Sequence, residues 1–267
     1  MTASAQGRDY SAYQPVLTAA DLDGLAFAFC KATNGLTADP NFAANWKVIG
    51  TSGIHRGAYH ELVPASTASP AAQARRFLAV IKAAGGAPAG TMLAVVASDY
   101  AGVTGAEVLA FCDAVHAAEP HCAVLIYSDL DFLPKLTSCT AYDLWVAWPS
   151  ATAPSAAQVK PFKTWRLWQW GQEHAVDCDA YNGTAAEMTA WLKSVAATPP
   201  RKVIRWRVVG VKTLAGVAKR HRTTPEVMLR LAAARHHKYR PSMQRYIKRG
   251  DWNARLPFGV VLFAYET

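Results

Sequence analysis

Apolar residues recur along the first 195 positions with two alternating periods. Short runs such as "LAFAFCKA" (25–32), "HRGAYHELV" (55–63), "TMLAVVAS" (91–98), "CAVLIYS" (122–128), "DLWVAWPS" (143–150) and "TWRLWQWG" (164–171) read as strands. Between them the spacing turns helical. "PNFAANWKVIGTSG" puts Phe42, Trp46 and Ile49 on one face and stops at Gly. "SPAAQARRFLAVIKAAGG" has Pro in its first turn, Phe77, Val80 and Ile81 on one face, and Gly-Gly as its end. "TGAEVLAFCDAVHAAEP" and "AAEMTAWLKSV" predict two more helices, and "LDFLPKL" a short one. Repeated strand–helix units predict a parallel sheet covered by helices. About eight strand signals fit a compact, irregular β/α barrel, with a doubly wound open sheet as the alternative.

A break falls at "AATPPRK" (196–202), where two prolines deny helix and the neighbours are small. It divides the chain into a barrel over 1–195, a linker over 196–202 and a small module over 203–267. Charge divides at the same place. Residues 1–200 hold 12 Lys/Arg against 16 Asp/Glu, net −4, while residues 201–267 hold 16 against 3, net +13. The second module therefore predicts contact with a polyanion: a cell-wall polymer, nucleic acid or an acidic protein. Its basic patch comprises Lys219, Arg220, Arg222, Arg235, Lys238, Arg240, Arg245, Lys248 and Arg249, with Tyr239, Tyr246 and Trp252 interleaved.

The composition narrows the chemistry. The five cysteines are odd in number and form no CxxC, so neither a disulfide framework nor a zinc site is expected. No metal or cofactor is expected. No apolar run reaches membrane-spanning length, and "MTASAQGRDYSAYQ" lacks the pattern of a secretory signal. The expectation is a protein made in the cytoplasm that acts at a cell wall or as part of a particle.

In a β/α barrel the working residues stand where strands end. The resulting set is Asp9, Lys31, Asn34, Tyr59, His60, Glu61, Ser98, Asp99, Tyr127, Trp148, Gln169, Trp170, Asp177 and Asp179. Aromatics among polar groups suit sugar rings. Tyr59, His60, Tyr127, Trp148, Gln169 and Trp170 are the candidate glycan contacts.

Seven stretches, taken together and in order, resemble glycoside hydrolase family 25, the muramidases (lysozymes). They are "GRDYSAYQ" (7–14), "FAFCKATNG" (27–35), "DPNFAANW" (39–46), "HRGAYH" (55–60), "LWVAW" (144–148), "WRLWQWG" (165–171) and "VDCDAYNG" (176–183). The resemblance implies a flattened β/α barrel, a peptidoglycan substrate, and hydrolysis that uses an acid from an Asp-x-Glu pair on one strand. That pair should fall within Ala94–Ser98. The possible registers are Ala94/Val96, Val95/Ala97 and Val96/Ser98, and none holds a carboxylate. Asn34 also stands where the family often has Glu.

Asp9 and Asp177 match surviving family acids. Glu61 and Asp99 are the candidates for a relocated one. The expectation is a catalytically degenerate, wall-binding protein, such as a phage-tail or injection-particle component contacting other subunits. The alternatives are an active muramidase and a docking adaptor led by the basic module. That module, with "KTLAGVAKRHRTTPEVMLRL" and "LPFGVVLF", resembles a LysM domain.

Overall fold

The computed structural model describes residues 4–98, 102–197, 203–207 and 261–265. Its chain forms two compact units, residues 1–199 and 200–267. The first unit carries nine strands and four helices. They are β1 (Gln6–Tyr10), β2 (Phe27–Asn34), β3 (Thr37–Ala38), α1 (Phe42–Thr51), β4 (His55–Glu61), α2 (Pro70–Ala83), β5 (Met92–Val96), α3 (Gly105–Ala118), β6 (Ala123–Asp129), β7 (Asp143–Ala147), β8 (Leu167–Glu173), β9 (Val176–Tyr181) and α4 (Ala185–Ala197). Short 3-10 turns span Ala19–Leu22 and Leu133–Cys139.

The sheet closes. Its order is β1-β9-β8-β7-β6-β5-β4-β2-β3, and β1 also pairs with β2, so eight strands form a barrel with β3 as a short arm. From β1 through β8 the barrel neighbours run parallel, as the strand–helix repeats predicted. The last strand departs from that expectation. β9 is antiparallel to both β8 and β1. Only His174 and Ala175 separate β8 from β9, both at positive φ. A two-residue link can make a hairpin but not a crossover, so the parallel series ends there.

Three of the four helices, α2, α3 and α4, begin where side chains satisfy their first amides. Ser69 accepts from Ala72 N–H ahead of Pro70 in α2. Thr104 and Glu107 form a capping box on α3, and Thr184 and Glu187 bond reciprocally at the start of α4.

Period-2 alternation sorts every strand into two faces. Outward residues such as Ala28, Cys30, Ala58, Leu93, Val95, Val124, Ile126 and Val146 pack with Phe42, Trp46, Phe77, Phe111 and other helix residues. Inward residues Phe27, Phe29, Tyr59, Met92, Ala94, Leu125, Trp145, Leu167 and Tyr181 fill the barrel. Trp145 is the hub: its ring centroid lies 4.5 Å from Phe29, 5.0 Å from Tyr127 and 6.4 Å from Tyr59. Two glycines make room for this filling. A Cβ on Gly7 would enter the ring of Phe27, and one on Gly57 the ring of Phe29.

All five cysteines are free and buried. Among the described residues no helix is long and apolar enough to cross a membrane. In the second unit, β10 (Val203–Arg207) pairs antiparallel with β11 (Val261–Tyr265). The basic patch and the "KTLAGVAKRHRTTPEVMLRL" stretch lie outside the described residues, as does Asp99.

Gly57→Ala drives a methyl into the Phe29 ring and is expected to destabilise the barrel by roughly 1–3 kcal/mol. A urea midpoint followed by tryptophan fluorescence measures it, and an unchanged midpoint would contradict this account of the interior.

Candidate active site

The strand ends gather an acidic site on the β1–β9 side of the barrel. Asp9 is inward on β1, directly opposite Asp177 on β9. Asp179 follows two residues on and shares the inward face. Asp9 and Asp179 are both buried, and Asp177 is half-buried.

A chain of hydrogen bonds fixes these groups. Tyr127 O–H donates to Gln169 Oε1 at 2.7 Å, and Gln169 Nε2 donates to Asp9 Oδ2 at 2.8 Å. Trp145 Nε1 donates to Asp179 Oδ1 at 2.8 Å, and Gln172 Nε2 to Asp177 Oδ1 at 2.7 Å. Asp179 Oδ2 is buried and receives no bond from any of these donors. What faces Asp179 is the carboxyl of Asp9.

Two buried carboxyls in contact cannot both ionise. Burial, then the charge of Asp177, pushes Asp9 up to about 7. Burial and the charge of Asp9 hold Asp179 well above the usual carboxylate range. The pair thus retains a proton near neutral pH. It joins a proton-bearing acid to a neighbouring anion, Asp177, which is the kind of separation that acid catalysis uses.

A second polar group stands at the ends of β2 and β4. Lys31 Nζ is 3.0 Å from Glu61 Oε1, and Asn34 Nδ2 donates to Glu61 Oε2 at 2.6 Å. Glu61 is inward like Tyr59, and it pairs in register with Val96 of β5 while Tyr59 pairs with Ala94. The Tyr59 hydroxyl feels the charges of both Asp9 and Glu61, although burial is the main cause of its raised pKa.

Parity settles how β5 is read. Met92, Ala94 and Val96 face the barrel interior, whereas Val95 and Ala97 belong to the outer core. The Val95/Ala97 register is therefore closed to any role in the site. The inward positions carry no ionisable group.

Two of the expected glycan contacts are corrected by the same parity. His60 faces outward and is fully buried. Its ring stacks on Phe111 at 4.5 Å and 9°. Gln73 Nε2 donates to the Val63 and Ala68 carbonyls, so Gln73 Oε1 must accept from His60 Nε2–H. His60 Nδ1 then accepts from the Thr33 hydroxyl at 2.7 Å. This is a core histidine with both nitrogens engaged.

Trp148 likewise packs against the outer core rather than with Tyr59 and Tyr127. Trp170 is the half-buried extra residue of the bulge between Gln169 and Gly171. Gln169 stays in the site, but its amide is spent on Tyr127 and Asp9, so it positions Asp9. Two residues were missing from the expected site: Trp145 and Tyr13. Asp179 was in the expected strand-end set, and the Asp-x-Asp of "VDCDAY" puts it on one face with Asp177 by period 2.

Residues 4–178 match the family model described as glycosyl hydrolases family 25. The chain belongs to this family. Its barrel aligns with the lysozyme of Streptomyces coelicolor at 26% identity and a TM-score of 0.59, covering 73% of this chain and 100% of that one. The family 25 glycosyl hydrolase of Bacillus anthracis aligns at 19% identity and a TM-score of 0.58, over 70% of this chain and 92% of that one. In sequence, the protein YegX of Escherichia coli (strain K12) is 30% identical over 193 residues, and the match spans 66% of each chain. Among the described residues of this family 25 chain, no group of three His, Cys, Asp or Glu residues could hold a metal ion.

Two pH effects follow. Folding takes up a proton at Asp9, whose carboxyl rises from 3.8 to about 7. That contribution to stability is complete at low pH and is lost as pH climbs through 7. Asp9→Asn abolishes the loss, so its stability relative to the parent is expected to be greater at pH 8 than at pH 5. Urea midpoints at the two pH values check this, and an equal difference at both would contradict it. Burial pushes His60 down to about 4. Its contribution is present above 6.5 and fades as pH falls towards 4. An imidazole NMR titration should place its midpoint near 4 rather than near 6.5.

Proposed function

We propose that this family 25 barrel grips peptidoglycan glycan strands without cleaving them. One observation carries the reading: the inward face of β5 is Met92, Ala94 and Val96. Glycoside hydrolysis needs a carboxyl to protonate the leaving oxygen and an anionic partner across the bond. The resemblance to family 25 puts such a pair on this strand. Alanine and valine can supply neither a proton nor a charge, while the barrel that would cradle a sugar chain is kept intact. The carboxyls that are present lie on β1 and β9 and at the end of β4 rather than on β5, and a misplacement of even about 1 Å costs a catalytic group about a hundredfold in rate.

The basic segment 201–267 supports a second contact with the same surface, because anionic wall polymers attract a net charge of +13. The setting we infer is a wall-contacting particle, such as a phage tail.

A second reading rests on Asp9. Its carboxyl is pushed up to about 7, so a proton is available at neutral pH, and Glu61 supplies an anion in register beside Val96. On that reading hydrolysis persists with its acid moved to β1.

Purified walls distinguish the two. The expected result is protein that pellets with walls and releases no reducing ends. Reducing ends that vanish in Asp9→Asn would overturn the binding-only reading in favour of the second. Protein that neither pellets nor releases reducing ends would overturn both.

A further inference from the structure

Lys31, Glu61, Asn34 and Tyr13 form a cluster at the ends of β1, β2 and β4 that the acidic site does not use. Lys31 is buried at 7% exposure, yet its ammonium meets two groups that reach solvent. On one side is the Glu61 carboxylate, 3.0 Å away, whose side chain is about a third exposed at 32%. On the other is the Tyr13 ring, with its centroid 4.7 Å from Nζ. Tyr13 is 89% exposed, far more than any other large hydrophobic residue described.

The local sequence explains this placement. A bulge between Lys31 and Thr33 shifts the β2–β4 register, so Asn34 rather than a residue of opposite parity lies beside Glu61. Thr33 turns outward to His60, and Asn34 reaches Glu61 Oε2 at 2.6 Å. The loop bearing Tyr13 is pinned from three directions. Ala12 N–H donates to Asp39 Oδ2, Asn41 Nδ2 donates to the Gln14 carbonyl, and Gln14 Nε2 donates to the Ala175 carbonyl.

The consequence is a pre-ordered acceptor. Each Glu61 oxygen receives one protein donor, Lys31 at Oε1 and Asn34 at Oε2, and each keeps acceptor capacity for a second. The carboxylate is thereby fixed in orientation, with an exposed aromatic ring anchored to the same ammonium. Hydroxyl donors beside an apolar C–H face are the complement of that pair. Val96, next to Glu61 in register, adds apolar surface rather than a competing charge.

Resting on the glycan-binding reading above, we infer that Tyr13, Glu61 and Asn34, braced by Lys31, form a sugar subsite that takes an uncharged N-acetylglucosamine unit. An N-acetylmuramic acid unit fits poorly, because its lactyl ether replaces a hydroxyl donor with a bulkier group that cannot donate from that oxygen. The subsite thus sets the register in which an alternating strand lies in the groove.

Calorimetric titration of the full chain with chitotetraose, an oligomer of N-acetylglucosamine, tests this beside pelleting on walls. Glu61→Gln removes the anion and keeps the shape, and is expected to weaken binding about tenfold. Tyr13→Ala removes an exposed ring without touching the core, and is expected to weaken it several-fold. A parent that binds chitotetraose equally well in both variants overturns the subsite and leaves the binding function standing. So does a parent that pellets with walls but ignores chitotetraose. A parent that does neither overturns both. A thermal melt of each variant separates lost contact from lost fold.

Discussion

Trp145 is the point on which the barrel and its site both depend. It enters from β7 and lies against rings from β2, β4 and β6. Its indole N–H is the donor that satisfies Asp179 Oδ1 on β9. The apolar part of the side chain fills the space that eight strands enclose, and the polar edge reaches the carboxyl cluster. Few residues can do both, because a buried tryptophan combines large area with a single directed donor. The floor of the acidic site is thus continuous with the packing of the interior.

The cluster this floor supports is costly in electrostatic terms. Three carboxyls on facing strands repel one another, and burial raises the penalty. A proton held by Asp9 and Asp179 relieves it, and Gln169 and Trp145 each contribute a donor. At the β2–β4 end a carboxylate meets donors rather than other acids: a buried lysine and an amide sit against Glu61. The barrel end therefore holds an acid pair that resists ionising and, apart from it, a carboxylate paired with a cation.

Much of this could be read from residues alone. The apolar periods gave the strands and helices, and the strand-end rule picked out Asp9, Glu61, Tyr127, Gln169 and Asp179. What escaped the reading was mostly a matter of face. His60 and Trp148 sit at strand ends beside true inward residues, but one step of alternation turns them outward. The "WRLWQWG" and "VDCDAYNG" stretches do not announce that a two-residue turn joins them, so the antiparallel closure was missed. Trp145 was not among the expected site residues, because its role needs the Asp179 carboxyl, 34 residues away in sequence, to be placed across the barrel.

The hairpin at His174 and Ala175 has a consequence for how the molecule comes into being. Asp9 lies near the start of the barrel, and the strand carrying Asp177 and Asp179 is its last. A growing chain emerges with seven strands able to pair before that strand is made. Until β9 folds back against β8 and reaches β1, Asp9 is a solitary acid near an open edge. The carboxyl cluster is therefore a product of closure: the chain acquires its buried proton only at the moment the ring of strands is completed.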